Sequence, residues 1–212
     1  MANAVFSPRD PASPLSISPH ETALLLMDYQ NMTLARIGDA VATSVVSIAS
    51  KMRDWALDKG MTVFHCLIDA SPSAKPPRHS RTAAKWKMYE AKFVEMPWLG
   101  HESEKLAVRN HPSLELTVLR TPGSISALES HGLSGMLEEK GIKSLIIGGL
   151  STSGCVLSTA RAATDRGYIV TVMEDACFDP VSGLHGMLVS HVLGTSAHVA
   201  TSREIQDAWK IL

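Results

Sequence analysis

Cys155 is the residue with the clearest chemical potential in this sequence. It follows a short apolar run, residues 145–147, two glycines and a segment rich in small and hydroxylic residues, 150–154. A helical pattern then continues to Asp165, and Gly167 favours a helix end. The pattern predicts a buried strand, a tight turn and a helix that carries Cys155 in its first turn. Unpaired N–H groups and the helix dipole favour a thiolate there, as a nucleophilic cysteine requires.

The turn has three alternative interpretations besides a nucleophile. Free cysteines are among the most buried residues in proteins, so a cysteine that only packs in the turn is the first alternative. A dinucleotide-binding loop requires G-x-G-x-x-G, which the segment GGLSTSG does not supply. A serine-hydrolase elbow requires G-x-S-x-G, and GLSTS lacks the second glycine.

Two charged residues are predicted to lie near Cys155 because each follows an apolar strand. Residues 22–27 end at Asp28, and residues 114–119 end at Arg120. The carboxyl ends of parallel strands share one edge of the sheet, where open α/β folds keep their sites. A carboxylate, a cation and a thiol along that edge make a nucleophile with its activators. The alternative role of Asp28 is a helix cap or a loop hydrogen-bonder.

The elements that position these residues alternate along the chain. Strands are predicted at residues 22–27, 61–68, 114–119, 143–147, 168–173 and 197–200, and helices at 39–59, 82–94, 132–140, 156–166, 180–193 and from 202 onward. This alternation predicts an α/β fold: a doubly wound, mainly parallel six-stranded sheet with helices on both faces. His65 and Cys66 lie within the second strand and are predicted to pack in the core.

The length of 212 residues favours one domain over residues 21–212, preceded by an arm at residues 1–20. Four prolines in the arm oppose helix formation, and the arm could lie on a neighbouring subunit. Residues 69–112 are long and irregular around one helical island, which predicts a lid or insert. Trp86 and Trp98 in this segment either line a substrate pocket or cover a separate hydrophobic cluster.

The charge and the cysteine content exclude several classes of protein. The formal net charge is −1, which indicates neither a nucleic-acid partner nor an anionic membrane surface. No apolar run is long enough to span a bilayer, and the N-terminus has no apolar segment typical of a secretory signal. Three cysteines at irregular spacing do not form a disulfide framework, so a reducing, cytoplasmic location is expected.

Four segments resemble the isochorismatase-like cysteine hydrolases, the group that contains nicotinamidases and N-carbamoylsarcosine amidohydrolase. They are LLLMDYQN (24–31), VLRTPGSISAL (118–128), GGLSTSGCVLSTARAATDRGY (148–168) and VTVMEDAC (170–177), and the likeness covers about residues 20–201. The resemblance implies a Rossmann-like three-layer fold. It also implies an Asp–Lys–Cys triad, whose aspartate is Asp28 and whose nucleophile is Cys155.

The same resemblance implies a cis peptide between Leu150 and Ser151 and an oxyanion hole formed by the N–H groups of Ser151 and Cys155. The chain departs from the family at the lysine. Arg120 ends the corresponding strand, although an alternative alignment places Thr121 there. Arginine can hold the geometry but cannot shuttle protons at ordinary pH.

The metal-binding D-x-H pair of nicotinamidases is interrupted here, because residues 69–71 are Asp, Ala and Ser, so no metal is expected. The cysteine sets the chain apart from the cysteine-less isochorismate and aryl-ether hydrolases of the group. The resemblance also implies a homo-oligomer, a dimer or tetramer. The mixture of aromatic and basic residues at 82–98 predicts that this segment borders both the interface and the active-site mouth.

The sequence thus predicts a cofactor-independent hydrolase that acts on a small amide, ureido or related non-peptide C–N bond. Asp28, Arg120 and Cys155 are the predicted catalytic residues, and Gln30, Trp86 and Thr152 are the predicted lining of the substrate pocket. Because the lysine is missing, the alternative is a silent small-molecule binder or a non-hydrolytic reaction on the same nucleophile.

Overall fold

The computed structural model describes residues 6–77, 79–108 and 113–210. Helices and strands alternate, in the order β1 Thr22–Met27, α1 Asn31–Leu34, α2 Asp39–Asp58, β2 Thr62–Ile68, α3 Arg81–Glu95, β3 Glu115–Arg120, α4 Leu133–Glu139, β4 Ser144–Gly149, α5 Leu157–Asp165, β5 Ile169–Met173, α6 Leu184–Met187, β6 His198–Ala200 and α7 Ser202–Ala208. Within these residues, no helix combines the length and the apolar character that crossing a bilayer requires.

The six strands form one sheet in the order β3-β2-β1-β4-β5-β6, and all five neighbouring pairs are parallel. The predicted doubly wound α/β fold is therefore confirmed, with a sheet that is parallel throughout rather than mainly so. The strand order reverses between β1 and β4. A crevice opens at such a reversal, at the carboxyl ends of the two strands, and that is where α/β folds bind ligands.

Both faces of the sheet are covered, because successive side chains of a strand point to opposite faces. Leu25 and Met27 of β1 belong to the core that includes residues of α4 and α5. Leu24 and Leu26 belong to the core that includes residues of α2 and α7. Every residue of β1 and β4 is buried, as expected for central strands of a parallel sheet.

The segment between β2 and β3 is the predicted lid, and its ordered centre is α3. A third hydrophobic cluster joins α3 to the rest of the domain and consists of Met32, Trp86, Phe93 and Leu99. Trp86 is only 7% exposed, whereas Trp98 is 53% exposed. The two tryptophans therefore have different surroundings: Trp86 packs inside the domain and Trp98 faces solvent.

The described part of the N-terminal arm packs against its own domain. Leu15 is buried in the core beneath α2, and the ring of His198 on β6 approaches the Ala12 carbonyl oxygen at 2.9 Å. Prolines 14 and 19 each begin a one-turn 3₁₀ helix, Pro14–Ser16 and Pro19–Glu21. The first turn tolerates proline, so the expectation that the prolines exclude helix holds only for longer α-helices.

The predicted helix at 180–193 differs from the structure in its start and in its type. The helix begins only at Leu184, after Gly183 with φ +74°, and its α-helical part ends at Met187. A π-helical turn, Leu188–Val192, and a 3₁₀ turn, Leu193–Thr195, complete the segment. The apolar spacing indicated a helix but could not show how its hydrogen-bond pattern would change along its length.

Candidate active site

Asp28 lies directly beyond β1, at the sheet edge where the strand order reverses. Its φ is +60°, the left-handed region that few residues other than glycine adopt. Its N–H donates to the Cys66 carbonyl at 3.1 Å, and its own carbonyl accepts a hydrogen bond from the Thr33 hydroxyl. Such a conformation costs about 1–3 kcal/mol and tends to persist at functional sites. The turn places the carboxylate under the lid, with Asp28 only 3% exposed.

Arg120 ends β3 and pairs with Asp28 through two parallel hydrogen bonds. The distances are 2.8 Å from Nη1 to Oδ1 and 2.5 Å from Nη2 to Oδ2. The third guanidinium nitrogen, Nε, donates to the Ser124 carbonyl oxygen at 2.9 Å. Burial alone would lower the pKa of Arg120, but the adjacent Asp28 carboxylate outweighs burial and raises it. Arg120 is therefore a permanent cation whose charge Asp28 balances.

Cys155 lies in a π-helical turn, Thr152–Val156, that follows β4 and leads directly into α5. The peptide bond between Leu150 and Ser151 is cis. Gly149 allows this turn to lie close to β1. A Cβ atom at position 149 would be 2.6 Å from the Met27 carbonyl oxygen and 3.3 Å from the Cys155 Sγ. A side chain there would push apart the two strands that carry Asp28 and Cys155.

The surroundings of Cys155 oppose the thiolate that the turn predicts. Burial raises the pKa of the thiol well above its ordinary value, and the Asp28 carboxylate raises it further. Arg120 acts in the opposite direction but does not overcome these two effects. The predicted thiolate rests on the unpaired N–H groups and the dipole at the start of the helix. The dipole stabilises a charge at a helix end only modestly, and the loss of hydration on burial costs that charge more.

The three predicted catalytic side chains line one cavity of about 240 Å³. Leu150, Ser151 and Gly154 contribute its floor beside Cys155, and Trp86 comes from α3 above it. The residues that line the cavity also include Arg36, Lys85, Tyr89 and Ile125, none of which is a predicted site residue. No spacing pattern links Arg36 to this site, because only the fold brings the end of α1 under the lid.

Two of the predicted pocket residues do not line this cavity. The Gln30 amide group donates to the carbonyl oxygens of Ile68 and Gly100, at 2.9 and 2.7 Å, and accepts from the Ile68 N–H at 2.9 Å. The Thr152 hydroxyl is 2.9 Å from Nδ1 of His185. Gln30 therefore joins the loop after β1 to the lid, and Thr152 joins the cysteine turn to α6.

A larger cavity, of about 790 Å³, lies on the other side of Trp86. Gln30, Trp86 and Phe93 line it, whereas Asp28, Arg120 and Cys155 do not. The smaller cavity is therefore the one that contains the reactive groups. Ile68 and Trp86 line both cavities.

A second buried polar cluster lies below the lid, and no motif in the sequence predicts it. Nδ1 of His65 is 2.9 Å from both carboxylate oxygens of Glu102, and Nε2 is 3.1 Å from Glu115. Arg53 of α2 approaches Glu115 at 3.7 Å. Burial raises the pKa of Glu102, although the hydrogen bond to His65 opposes that shift. His65 is fully buried as predicted, and it links the lid to the sheet rather than lining the site.

Neither of the other cysteines lines the cavity at Cys155. Cys66 and Cys177 are free thiols buried in the sheet core. Burial raises the pKa of Cys66, and it raises the pKa of Cys177 to about 12. Cys66 and Cys177 are therefore suitable controls for labelling or mutation of Cys155, because they are buried thiols outside the cavity. Among the described residues, no cluster of His, Cys, Asp and Glu side chains is arranged to hold a metal ion.

A comparison with protein families matches residues 22–204 to the model described as the isochorismatase domain. Two of the proteins that are similar in sequence illustrate the match. The uncharacterized isochorismatase family protein YddQ of Bacillus subtilis (strain 168) is 42% identical over 45 residues, which are 21% of this chain and 25% of YddQ. The ureidoacrylate amidohydrolase RutB of Acinetobacter baylyi (strain ATCC 33305 / BD413 / ADP1) is 24% identical over 180 residues, 77% of this chain and 73% of RutB.

The fold is also similar to solved structures. The crystal structure of N-carbamoylsarcosine amidase from Thermoplasma acidophilum superimposes with a TM-score of 0.67 at 19% identity. The likeness covers 85% of this chain and 96% of the amidase. At this identity, the structural likeness establishes the shared fold alone.

Proposed function

The chain belongs to the isochorismatase family of hydrolases, and we propose that it is a cofactor-independent cysteine hydrolase of a small amide, ureido or related non-peptide C–N bond. One observation carries the proposal: Asp28, Arg120 and Cys155 line the same small cavity at the strand reversal. Its volume of about 240 Å³ is below the ~300–1,000 Å³ of drug-sized sites, so a small substrate fits best.

The first half of the reaction forms an acyl-enzyme. Asp28 accepts the proton of the Cys155 thiol while the sulfur attacks the substrate carbonyl carbon and forms an S–C bond. The carbonyl electron pair moves to oxygen, and the N–H groups of Ser151 and Cys155 stabilise the oxyanion. When the carbonyl re-forms, the C–N bond breaks and Asp28 returns the proton to the leaving amine.

The second half of the reaction releases the product. Asp28 takes a proton from water as the water oxygen attacks the thioester carbonyl carbon. The S–C bond then breaks, and Asp28 returns the proton to the sulfur. This restores the neutral thiol and releases the acid. No electrons leave the system, and no group outside the chain, the substrate and water is needed.

Arg120 supports this cycle without exchanging protons. Arginine stays protonated in proteins, so the cation holds the Asp28 carboxylate in place and opposes part of the cost of forming a thiolate beside it. The raised pKa of the Cys155 thiol supports this scheme, because the scheme begins with a proton on the sulfur that Asp28 accepts and passes to the leaving amine.

The relatives support the type of bond. They include a ureidoacrylate amidohydrolase and an N-carbamoylsarcosine amidase, and both names denote hydrolysis at an amide or ureido group. We extend to this chain only the class of reaction. The three free cysteines also support a reducing, cytoplasmic location for the protein.

Release of amine or ammonia from a panel of small amides and ureido compounds tests the proposal. We expect turnover by the wild-type protein, and in Cys155→Ala a loss of about 10³-fold or more because the nucleophile is gone. Cys177→Ala is the matched control, since it removes a buried thiol that does not line the cavity. Turnover that survives in Cys155→Ala would exclude the covalent mechanism.

The second candidate is a silent binder or a non-hydrolytic enzyme on the same site, and the Asp28–Arg120 contact motivates it. The arginine engages both carboxylate oxygens, whereas the family resemblance implies a lysine with a single donor nitrogen. Arg120→Lys separates the two candidates. A variant that gains amide turnover over an inactive parent supports the second candidate, and a loss from an active parent supports the first.

A further inference from the structure

The charged residues around the catalytic cavity are predominantly cationic. Asp28 is the one carboxylate among the described residues that line it, and Arg120 balances its charge. Arg36, from the end of α1, and Lys85, on α3, also line the cavity. The cavity therefore contains two positive charges that no lining residue offsets.

Neither Arg36 nor Lys85 forms an ion pair with another residue in the described part of the chain. The acidic group that Arg36 influences is Asp179. Burial opposes ionisation of Asp179, but hydrogen bonds from Ser153 and Val181 lower its pKa, and the charge of Arg36 adds to this effect. The Asp179 carboxylate is held by those two backbone N–H groups, at 2.8 and 3.1 Å. Arg36 thus remains available to a ligand.

A residue that lines the cavity also has a donor without a partner. The indole N–H of Trp86 is buried and has no hydrogen-bond acceptor in the described part of the chain, although Trp86 as a whole is 7% exposed. A buried N–H without an acceptor costs free energy, so it is typically satisfied by a ligand or by water. Trp86 directly follows Lys85 on α3, and both residues line the catalytic cavity.

We propose that the substrate carries a carboxylate separate from its scissile C–N bond, and that Arg36 and Lys85 bind this carboxylate at the cavity mouth. The proposal rests on the proposed hydrolysis at Cys155 and narrows its substrates to small amido or ureido acids. Arginine and lysine bind carboxylates through charge-assisted hydrogen bonds, and a cavity of one charge sign attracts the opposite sign from solution.

The cations and the nucleophile can be tested together with two electrophiles of nearly equal size. Iodoacetate is anionic and iodoacetamide is neutral, and each alkylates Cys155 by forming an S–C bond and releasing iodide. The ratio of the two rates at Cys155, divided by the same ratio for free cysteine, isolates the effect of the charged cavity. Peptide mapping separates Cys155 from Cys66 and Cys177.

We expect a normalised ratio of about tenfold in favour of iodoacetate at low ionic strength, since focused charge raises local concentrations by 10–10³. Arg36→Gln and Lys85→Gln should each lower the ratio by about threefold, and added salt should lower it in the wild type. Lys87→Gln should leave it unchanged, because Lys87 is on the same exposed helix but does not line the cavity.

The iodoacetamide rate in each variant serves as the internal check on folding, since the reagent is neutral and reports only the access to Cys155 and its ionisation, which the ratio cancels. A normalised ratio near one in the wild type, with Cys155 labelled by both reagents, would overturn the anionic substrate and leave the proposed hydrolase intact. Failure of both reagents to label Cys155 would instead remove the proposed nucleophile, and with it the substrate class that depends on it.

Discussion

Both carboxylate oxygens of Asp28 accept hydrogen bonds from the two terminal nitrogens of Arg120, over 2.8 and 2.5 Å, in a site where each side chain is at most 4% exposed. The contact joins the ends of β1 and β3, which are separated in the sheet by β2. It places a fixed cation next to the base that the nucleophile requires. The Asp28–Arg120 pair is therefore part of both the fold and the chemistry.

Arg120→Met is predicted to destabilise the protein as well as to inactivate it. The change leaves the Asp28 carboxylate buried without a counter-charge, which typically costs ~3–5 kcal/mol of unfolding free energy. Denaturant unfolding measures the loss. Adding Asp28→Asn to this variant should recover part of it, because the unpaired charge is then removed. A loss below about 1 kcal/mol in Arg120→Met would show that the pair contributes little.

Asp28→Asn is predicted to lower the pKa of Cys155 while it abolishes turnover. In the wild type, burial and the Asp28 carboxylate both raise this pKa, and Arg120 lowers it. Removing the negative charge leaves the cation beside the thiol, so the thiolate becomes easier to form. The pH dependence of thiolate ultraviolet absorbance, with Cys155→Ala as the blank, measures the shift.

Hydrolysis by the same variant should fall by about 10²–10⁴-fold, the usual contribution of a general base. A more acidic thiol together with lower activity would separate the role of Asp28 as a base from any role in ionising the cysteine beforehand. An unchanged or higher pKa in Asp28→Asn would mean that the charge of Asp28 does not act on Cys155.

Gly149→Ala is predicted to disturb the site through packing alone. The added methyl group would overlap the Met27 carbonyl oxygen and Cβ, at 2.6 and 2.7 Å, so β1 and β4 must shift, at a cost of about 1–3 kcal/mol. Gly135→Ala is the control. No atom lies within 4 Å of its added Cβ, and alanine in a helix should stabilise by ~0.5–1 kcal/mol. Equal effects of the two changes on unfolding would contradict the close approach.

The protein is predicted to be a homo-oligomer with the lid at its interface. Met88, Val94 and Trp98 are 70%, 76% and 53% exposed on this one segment, and such apolar exposure often marks an interface. Light scattering at micromolar concentration should give a mass above the 22.8 kDa of one chain. Val94→Lys should reduce that mass, and Val181→Lys, at a position 58% exposed elsewhere, should not. A wild-type mass of one chain would rule the prediction out.

Most of the fold and of the site can be predicted from the sequences of the strands. β1, β4 and β5 are short apolar runs that end in polar residues, and in a parallel sheet such runs determine both the fold and the edge at which Asp28, Arg120 and Cys155 meet. The bidentate contact itself could not be read from the sequence. It depends on the positive φ of Asp28 and on how far the end of β3 lies from Asp28 for the Arg120 side chain to reach it. Only the folded chain shows both.

The parts that the sequence did not predict depend on burial and on distant contacts. The local turn favours a thiolate at Cys155, but the turn does not show how deeply the sulfur is buried. Gln30 is predicted to line the substrate pocket, yet its amide group is hydrogen-bonded to Ile68 and Gly100. Arg36 and Lys85 carry no motif, and only the placement of α3 over the crevice brings them to the site.

Acylation of Cys155 by p-nitrophenyl acetate tests the central claim most directly, because it requires only the nucleophile, its base and the oxyanion hole. Rapid mixing should give a burst of p-nitrophenolate that approaches one equivalent per chain, followed by slower turnover. Mass spectrometry of the quenched protein should locate one acetyl group on the peptide that contains Cys155. The burst should vanish in Cys155→Ala and persist in Cys177→Ala. A burst and an acetyl group that remain in Cys155→Ala would contradict the account.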